Sequence, residues 1–290
     1  MASNKQNTIS ESVTHTGIAL HTGNRVRIRL QPASENSGII FKRLDIDSAP
    51  EIPGNIEHVI DTERGTTIGT DEAEVHTVEH LLAALTVMAV DNVVVEMTGT
   101  EPPVADGSAK PFVDLLREAG TVQQNAERKT LSVTEPLYYE KDETKIVALP
   151  NDCFSISCTV KYDQTPRDCQ YISLDINEDN FCNQLCEART FCLFHEIETL
   201  IKANLICGGS LDNAVVIKGD AILSREGLRY EDEFVRHKVL DMVGDLALLG
   251  AELKAHLIAI KPGHPANIHI GQEILQQNRN TNKERKTIAA

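Results

Sequence analysis

Between Phe234 and Leu249 the chain carries two periodic patterns at once. Val235, Val239, Met242, Val243, Leu246 and Leu249 form an apolar stripe at helical spacing. His237, Asp241 and Asp245 lie four residues apart, so the same helix stacks an imidazole and two carboxylates along a second face. A core helix has no use for such a column, which must face either water or a site. An imidazole and a carboxylate at i and i+4 can reach one metal ion, with Asp245 a turn further on to hold another group. A catalytic zinc site takes about three protein ligands and keeps one position open. Another part of the chain must therefore supply the third ligand and any base.

A chain of 290 residues has room for two domains of ordinary size. Its 41% hydrophobic and 24% charged residues are those of a soluble globular protein. The net charge of −15 argues against general nucleic-acid binding, in which Lys and Arg neutralise phosphates, but leaves room for a local basic pocket around a phosphorylated small molecule. The first residues lack the apolar core of a signal peptide, and no run approaches the roughly 18 apolar residues of a membrane span. Seven cysteines, an odd number, all lie between Cys153 and Cys207 and read as reduced thiols of a cytoplasmic protein. Cys182 and Cys186 have the spacing of a ligand pair on a helix, although buried or idle thiols are commoner.

Residues 8–60 read as β structure, with clean alternation over 26–30, a loop over 32–38 and a strand over 39–43. His21 lies between turn residues and reads as a surface histidine. The spacing of Val78, Leu81, Leu82, Leu85 and Met88 predicts a helix over 76–90, followed by a strand over 93–97. Pro111 opens a short helix that Gly120 closes. Residues 121–129 are polar and unpatterned, as in a linker, and after them the pattern restarts with strands over 130–139, 145–149 and 154–162. Helix 234–249 and strand 256–260 repeat the helix-then-strand order of 76–97, which suggests two related domains with a site between them. Residues 278–290 are polar and read as frayed.

His76-Thr-Val-Glu-His80 supplies what the 237–245 column lacks. His80 is a candidate third ligand, while Glu79, turned about 100° around the helix, can reach a bound water instead. A metal lowers the pKa of bound water towards about 7, and a carboxylate then takes its proton. The same residues also fit an inverted zinc-protease motif, with His76 and His80 both as ligands. That reading leaves the His237/Asp241 column unexplained, and His76 separates the two. His264, in a Pro/Gly turn after strand 256–260, suits proton donation to a leaving amine.

Taken together, Thr-Gly-Ile-Ala-Leu-His-Thr-Gly (16–23), Thr-Val-Glu-His (77–80), Asp-Gly-Ser (106–108), Ala-Arg-Thr-Phe (188–191), Gly-Gly-Ser-Leu-Asp-Asn-Ala (208–214), Arg-His-Lys-Val-Leu-Asp-Met-Val-Gly-Asp-Leu (236–246) and Gly-His (263–264) run in one order. In these the sequence resembles the zinc-dependent UDP-3-O-acyl-N-acetylglucosamine deacetylases of lipid A biosynthesis, over roughly residues 8–278. The resemblance implies an α+β fold of two similar domains (1–124 and 125–290), each a β-sheet with packed helices, in a layered sandwich with the active site between them. It implies an inserted segment at about 195–222 that helps form an apolar passage for the acyl chain.

It further implies Zn2+ held by His80, His237 and Asp241, Glu79 as base, and His264 as proton donor oriented by Asp245. Thr190 would help hold the oxyanion. Lys238, Lys261, Tyr162, Phe191 and Leu193 would meet the substrate, Lys261 at the phosphates and Tyr162 at the uracil. The expected partner is a UDP-linked, acylated glucosamine, met by a monomer that has no membrane span and at most transient contact with a membrane surface. Three positions depart from the family pattern. His76 stands where a small hydroxyl residue is usual, Leu193 where many members have phenylalanine, and Pro265-Ala266 replaces the commoner Ala-Leu. None of these removes a ligand or a catalytic group. A non-catalytic lipid- or nucleotide-binding protein on the same fold is a third reading, against which the intact ligand and base set speaks.

Overall fold

The computed structural model describes residues 4–162 and 169–288. The first half runs through β1 (Lys5–Ile9), β2 (Val13–Ile18), β3 (Arg25–Pro32), β4 (Ile39–Arg43), β5 (Glu51–Pro53), β6 (Val59–Asp61), β7 (Thr67–Gly69) and β8 (Glu74–Val75). It continues with α1 (Glu79–Val87), β9 (Val93–Met97) and α2 (Lys110–Ala119), and β10 (Thr121–Glu127) leads out of it. The second half begins with β11 (Thr130–Ser132), β12 (Leu137–Lys141), β13 (Thr144–Leu149), β14 (Phe154–Lys161) and β15 (Cys169–Asp175). Then come α3 (Glu178–Gln184), β16 (Phe191–Leu193), α4 (Ile197–Lys202), β17 (Val215–Lys218), β18 (Ala221–Leu223), α5 (Glu233–Ala247), β19 (Glu252–Ile260) and α6 (His264–Ile288).

The suspected repeat is a topological fact. One sheet has the order β2-β3-β9-β4-β5 and the other β12-β13-β19-β14-β15, to which β11 adds itself parallel to β19. Each central strand has one antiparallel and one parallel neighbour. Val95 faces Leu30 and Phe41 in the first sheet; Leu257 faces Ala148 and Ile156 in the second. In both halves a helix precedes the central strand (α1, α5) and another follows it (α2, α6).

Alternation explains which sheet face is covered. On β3, Val26, Ile28 and Leu30 are buried while Arg25, Arg27 and Arg29 are exposed; on β19, Leu253, Ala255, Leu257 and Ala259 are buried. The two central helices lack a wet side over most of their length. Leu81 through Leu85 are fully buried on α1, as are Val235, Val239, Leu240, Met242 and Val243 on α5. A helix apolar all round belongs between layers, and α1 and α5 pack on each other inside one core that includes both sheets. Their crossing is close because of Gly244. A Cβ there would stand 2.0 Å from the Glu79 carbonyl oxygen.

Several expectations are corrected. Residues 121–127 are no bare linker but strand β10, antiparallel to β1. Both faces of β10 are largely wet, so no apolar alternation marks it in the sequence. The strand expected over 130–139 breaks before Pro136, which cannot donate to a ladder. Residues 278–288 are helical rather than frayed, since α6 reaches Ile288; 289–290 lie outside the described residues. Asn278 donates to Ser132 O and accepts from Ser132 N, and Gln277 accepts from Thr134 N.

Each half also carries an extra small sheet before its central helix, β6-β7-β8 in the first and β16-β17-β18 in the second. The second of these, with α4, covers and slightly precedes residues 195–222, where an inserted segment is expected. It has its own apolar cluster of Val215, Ile217 and Phe234, backed by Phe191, Leu193, Tyr162, Ile222 and Leu228.

Candidate active site

The polar column of α5 meets the first turn of α1 where Gly244 lets the helices touch. One donor atom from each of His80, His237 and Asp241 lies within 4.8 Å of the others, and all three residues are buried. The two imidazoles meet edge to face, 5.0 Å between centroids, and Asp241 Oδ1 is 3.3 Å from His237 Nε2 and 3.6 Å from His80 Nε2. His237 Nδ1 donates to the Ala188 carbonyl at 3.0 Å. A carbonyl only accepts, so the proton sits on Nδ1 and the Nε2 lone pair faces the cluster. Asp241 is partitioned similarly. Lys238 Nζ takes Oδ2 at 2.7 Å, which leaves Oδ1 for the histidines.

The charges suit a cation site. Burial holds the His237 pKa down to about 3, so its ring is neutral. Burial opposes charge on Asp241, but the Lys238 ammonium and the hydrogen bond with His80 outweigh it and hold its pKa well below the ordinary carboxylate value. Burial also opposes charge on His80, yet the Asp241 carboxylate raises its pKa, and a divalent cation competes for the same lone pair. Two nitrogen donors and one anionic oxygen are the ligand types that zinc takes in open, catalytic sites.

Beside the cluster, Glu79 and His264 face each other, with Glu79 Oε1 4.0 Å from His264 Nε2. The Thr66 amide donates to Glu79 Oε2 at 3.1 Å, and burial raises the Glu79 pKa. Asp245 is fully buried and accepts from His264 Nδ1 (2.9 Å), Asn267 Nδ2 (2.8 Å) and Thr66 Oγ1 (2.5 Å). Burial works against charge on His264, but Asp245 prevails and the pKa rises to about 9. The ring is therefore a cation at neutral pH, with Nε2–H directed to the side where Glu79 lies.

The remaining candidates divide. The Thr190 backbone is pinned by its N–H to the Gly107 carbonyl and accepts from Val215 N. Phe191 lies beside His237 (6.0 Å between centroids), and Tyr162 packs edge-on to Phe191 at 5.4 Å, its hydroxyl pKa pushed up to about 12 by burial. Leu193 belongs to the same apolar wall. Lys261 pairs with Glu143 at 2.7 Å, away from the cluster's own contacts.

His76 is not in the group. Thr77 has a left-handed φ of 54° and α1 begins only at Glu79, so His76 and His80 never share a helix face; His76 bonds Thr67 Oγ1 and Glu74 instead. Cys182 and Cys186 are free thiols, and Cys186 lies past the end of α3.

The surface reading of His21 is corrected. Its two ring nitrogens are enclosed with no hydrogen-bond partner among the described residues, and the 195–222 segment folds over it with Cys207 N on His21 O and Gly208 N on Leu20 O. Two residues were invisible in sequence, Thr66 and Asn267. An i+3 spacing from His264 on a helix was a faint signal for Asn267; Thr66 offered none.

Known proteins resemble this chain over nearly its whole length. The family model described as UDP-3-O-acyl N-acetylglycosamine deacetylase matches residues 6–276. A UDP-3-O-acyl-N-acetylglucosamine deacetylase of Chlamydia pneumoniae is 41% identical over 278 residues, 95% of this chain and 99% of that protein. Proteins of the same name from Saccharophagus degradans and Syntrophotalea carbinolica are each 40% identical, covering 94% and 93% of this chain and 91% and 87% of their own lengths.

Proposed function

This chain belongs to the UDP-3-O-acyl N-acetylglycosamine deacetylase family, and from that premise we infer its chemistry residue by residue. It is an amide hydrolase that removes the N-acetyl group of UDP-3-O-acyl-N-acetylglucosamine in lipid A biosynthesis. The observation that carries the residue assignment is the convergence of His80, His237 and Asp241 within 4.8 Å, with Glu79 and His264 4.0 Å apart beside them.

We assign His80, His237 and Asp241 as ligands of a divalent ion, and zinc as that ion. Bound there, zinc supplies a Lewis acid and lowers the pKa of bound water towards about 7. Glu79 Oε1 accepts the proton of the attacking water, while the Thr66 amide on Oε2 fixes the carboxylate. Its raised pKa makes it a better base than an exposed carboxylate. As water adds to the acetyl carbon, the carbonyl oxygen becomes an oxyanion, to which the Thr190 hydroxyl and the positive His264 ring give stabilisation. When the C–N bond breaks, His264 Nε2 gives its proton to the leaving amine, and acetate departs. Asp245 holds the ring through Nδ1 and is itself held by Thr66 and Asn267.

Phe191, Leu193 and Tyr162 form the apolar side on which an acyl chain and a base can lie, and Lys238 and Lys261 are the nearby cations for the sugar and phosphates. Lys238 serves from its bond to Asp241, and Lys261 has to exchange Glu143 for phosphate. The frame divides into domains 1–124 and 125–290, joined by the β1–β10 ribbon that spans the boundary. No described helix is long and apolar enough to cross a membrane. We read the protein as a cytoplasmic monomer that meets the membrane surface only transiently. Acetate release from acylated UDP-sugars, with and without chelator, tests the whole reading; release that survives chelation and metal-free dialysis overturns it.

A further inference from the structure

Among the contacts that tie the 195–222 segment to the first half of the chain are two of different kinds. One is backbone to backbone, where Cys207 and Gly208 donate to the carbonyls of His21 and Leu20. It is tight, since a Cβ at Gly208 would come 2.1 Å from the Ala19 carbonyl oxygen. The other is a single ion pair. Arg64 Nη2 lies 2.8 Å from Glu196 Oε1, and the same carboxylate accepts the Leu193 amide through Oε2 at 3.3 Å.

Both ends of that pair lead straight to the site. Arg64 opens the Arg64-Gly65-Thr66 turn, with a left-handed φ of 61°, and Thr66 is bonded to Glu79 and Asp245. Glu196 caps the end of β16, the strand whose Phe191 and Leu193 wall the site. Around Glu196 the segment exposes Phe194 (44%) and Ile201 (58%), apolar surface that an acyl chain can cover. The pair itself is half wet, at 44% and 27% exposure of its two side chains, so it is weak enough to open and re-form.

We propose that the Arg64–Glu196 ion pair is a strap across the mouth of the acyl passage, and that these two residues set which acyl chains the enzyme holds. The proposal rests on the deacetylase reading above and adds a specificity determinant to it. With the strap closed, the chain is covered on the side of β16. With it open, the outer methylenes face water. Exposing about two methylenes corresponds to roughly a tenfold loss of binding. The effect falls on long chains only, and on KM more than kcat, because Glu196 touches no reacting group.

The test is a charge-swap cycle with R64E, E196R and the double variant R64E/E196R, each assayed for acetate release on UDP-sugars of graded acyl length. Wild type is assayed first; if it releases no acetate, the deacetylase reading fails, not the strap. We expect each single reversal to raise KM for long-chain substrates about tenfold while short-chain substrates change by less than about twofold, and the double swap to recover most of the loss. Thermal unfolding of the single variants should stay near wild type, as for an exposed pair. A chain-length profile unchanged in both single variants overturns the proposal. So does a double swap as impaired as the worse single variant, or a loss that is equal for short and long chains.

Discussion

The two halves share one frame and divide the chemistry unequally. Strand for strand the sheets match, and α1 occupies the place in the first that α5 occupies in the second. Yet α1 gives the site only Glu79 and His80, from its first turn, while α5 gives His237, Asp241 and Asp245 along two turns. The helices after the central strands differ as well. α6 begins with His264 and adds Asn267, whereas α2 begins with Lys110, which pairs with Asp114 on the surface. A repeated fold thus supplies two similar walls, and function comes from what each wall carries. The candidate metal cluster forms only at their contact, because neither half holds all three of His80, His237 and Asp241.

If the cluster depends on both halves, removing one ligand from either should be equally fatal. His80→Ala and His237→Ala are each expected to lose the bound metal and on the order of 10³-fold or more in turnover, read by metal analysis and acetate release. Metal retained in one variant but not the other would break the symmetry of that dependence. Glu79→Gln separates ligand from base on a single turn of α1. It should keep its metal and lose about 10²-fold or more in kcat.

Asp245→Asn probes the second half's larger share. His264 has its pKa raised to about 9, so its acid form is present below that pH and activity should fall as pH rises through it. Removing the carboxylate should move that alkaline limb to lower pH and cost roughly tenfold to a hundredfold in kcat at pH 8. The linkage has the same sign for stability. The folded pKa exceeds the unfolded value of about 6.5, so this contribution is full below pH 6.5 and is lost as pH rises through about 9. A limb that stays in place would remove Asp245 from its orienting role.

Gly244→Ala tests the contact between halves directly. The added methyl meets the Glu79 carbonyl, a backbone atom that cannot rotate away. Overpacking of this kind costs about 1–3 kcal/mol, and metal affinity should fall with it because the ligands ride on the two helices. Thermal unfolding and a chelator competition measure the two effects. The smallest effect is expected for His76→Ala, with metal retained and activity within about threefold of wild type, since its partners lie outside the cluster. Loss of metal in that variant would revive the inverted-motif reading.

Much of this was legible before any coordinates. The apolar stripe and polar column of α5 and the burial of α1 follow from helical period, and the alternation of β3 from the two-residue period of a strand. The repeat could be suspected from helix-then-strand order, because local pattern survives where sequence identity does not. His80, His237 and Asp241, which the fold brings within 4.8 Å, could also be named early, from residue types at fixed spacing and from family resemblance.

Tertiary structure decided the rest, for a common reason. β10, and α6 at Gln277 and Asn278, are held by hydrogen bonds to distant partners, which leave no periodic signal. His21 reads as a turn residue until a segment more than 180 positions later closes over it. Thr66 and Asn267 matter only because they converge on Asp245, and His76 is set aside by one left-handed residue at Thr77. Period and composition fix what each element is. Which side chains share a few ångströms is fixed by how the elements pack, and here that turns on a glycine that lets two helices touch.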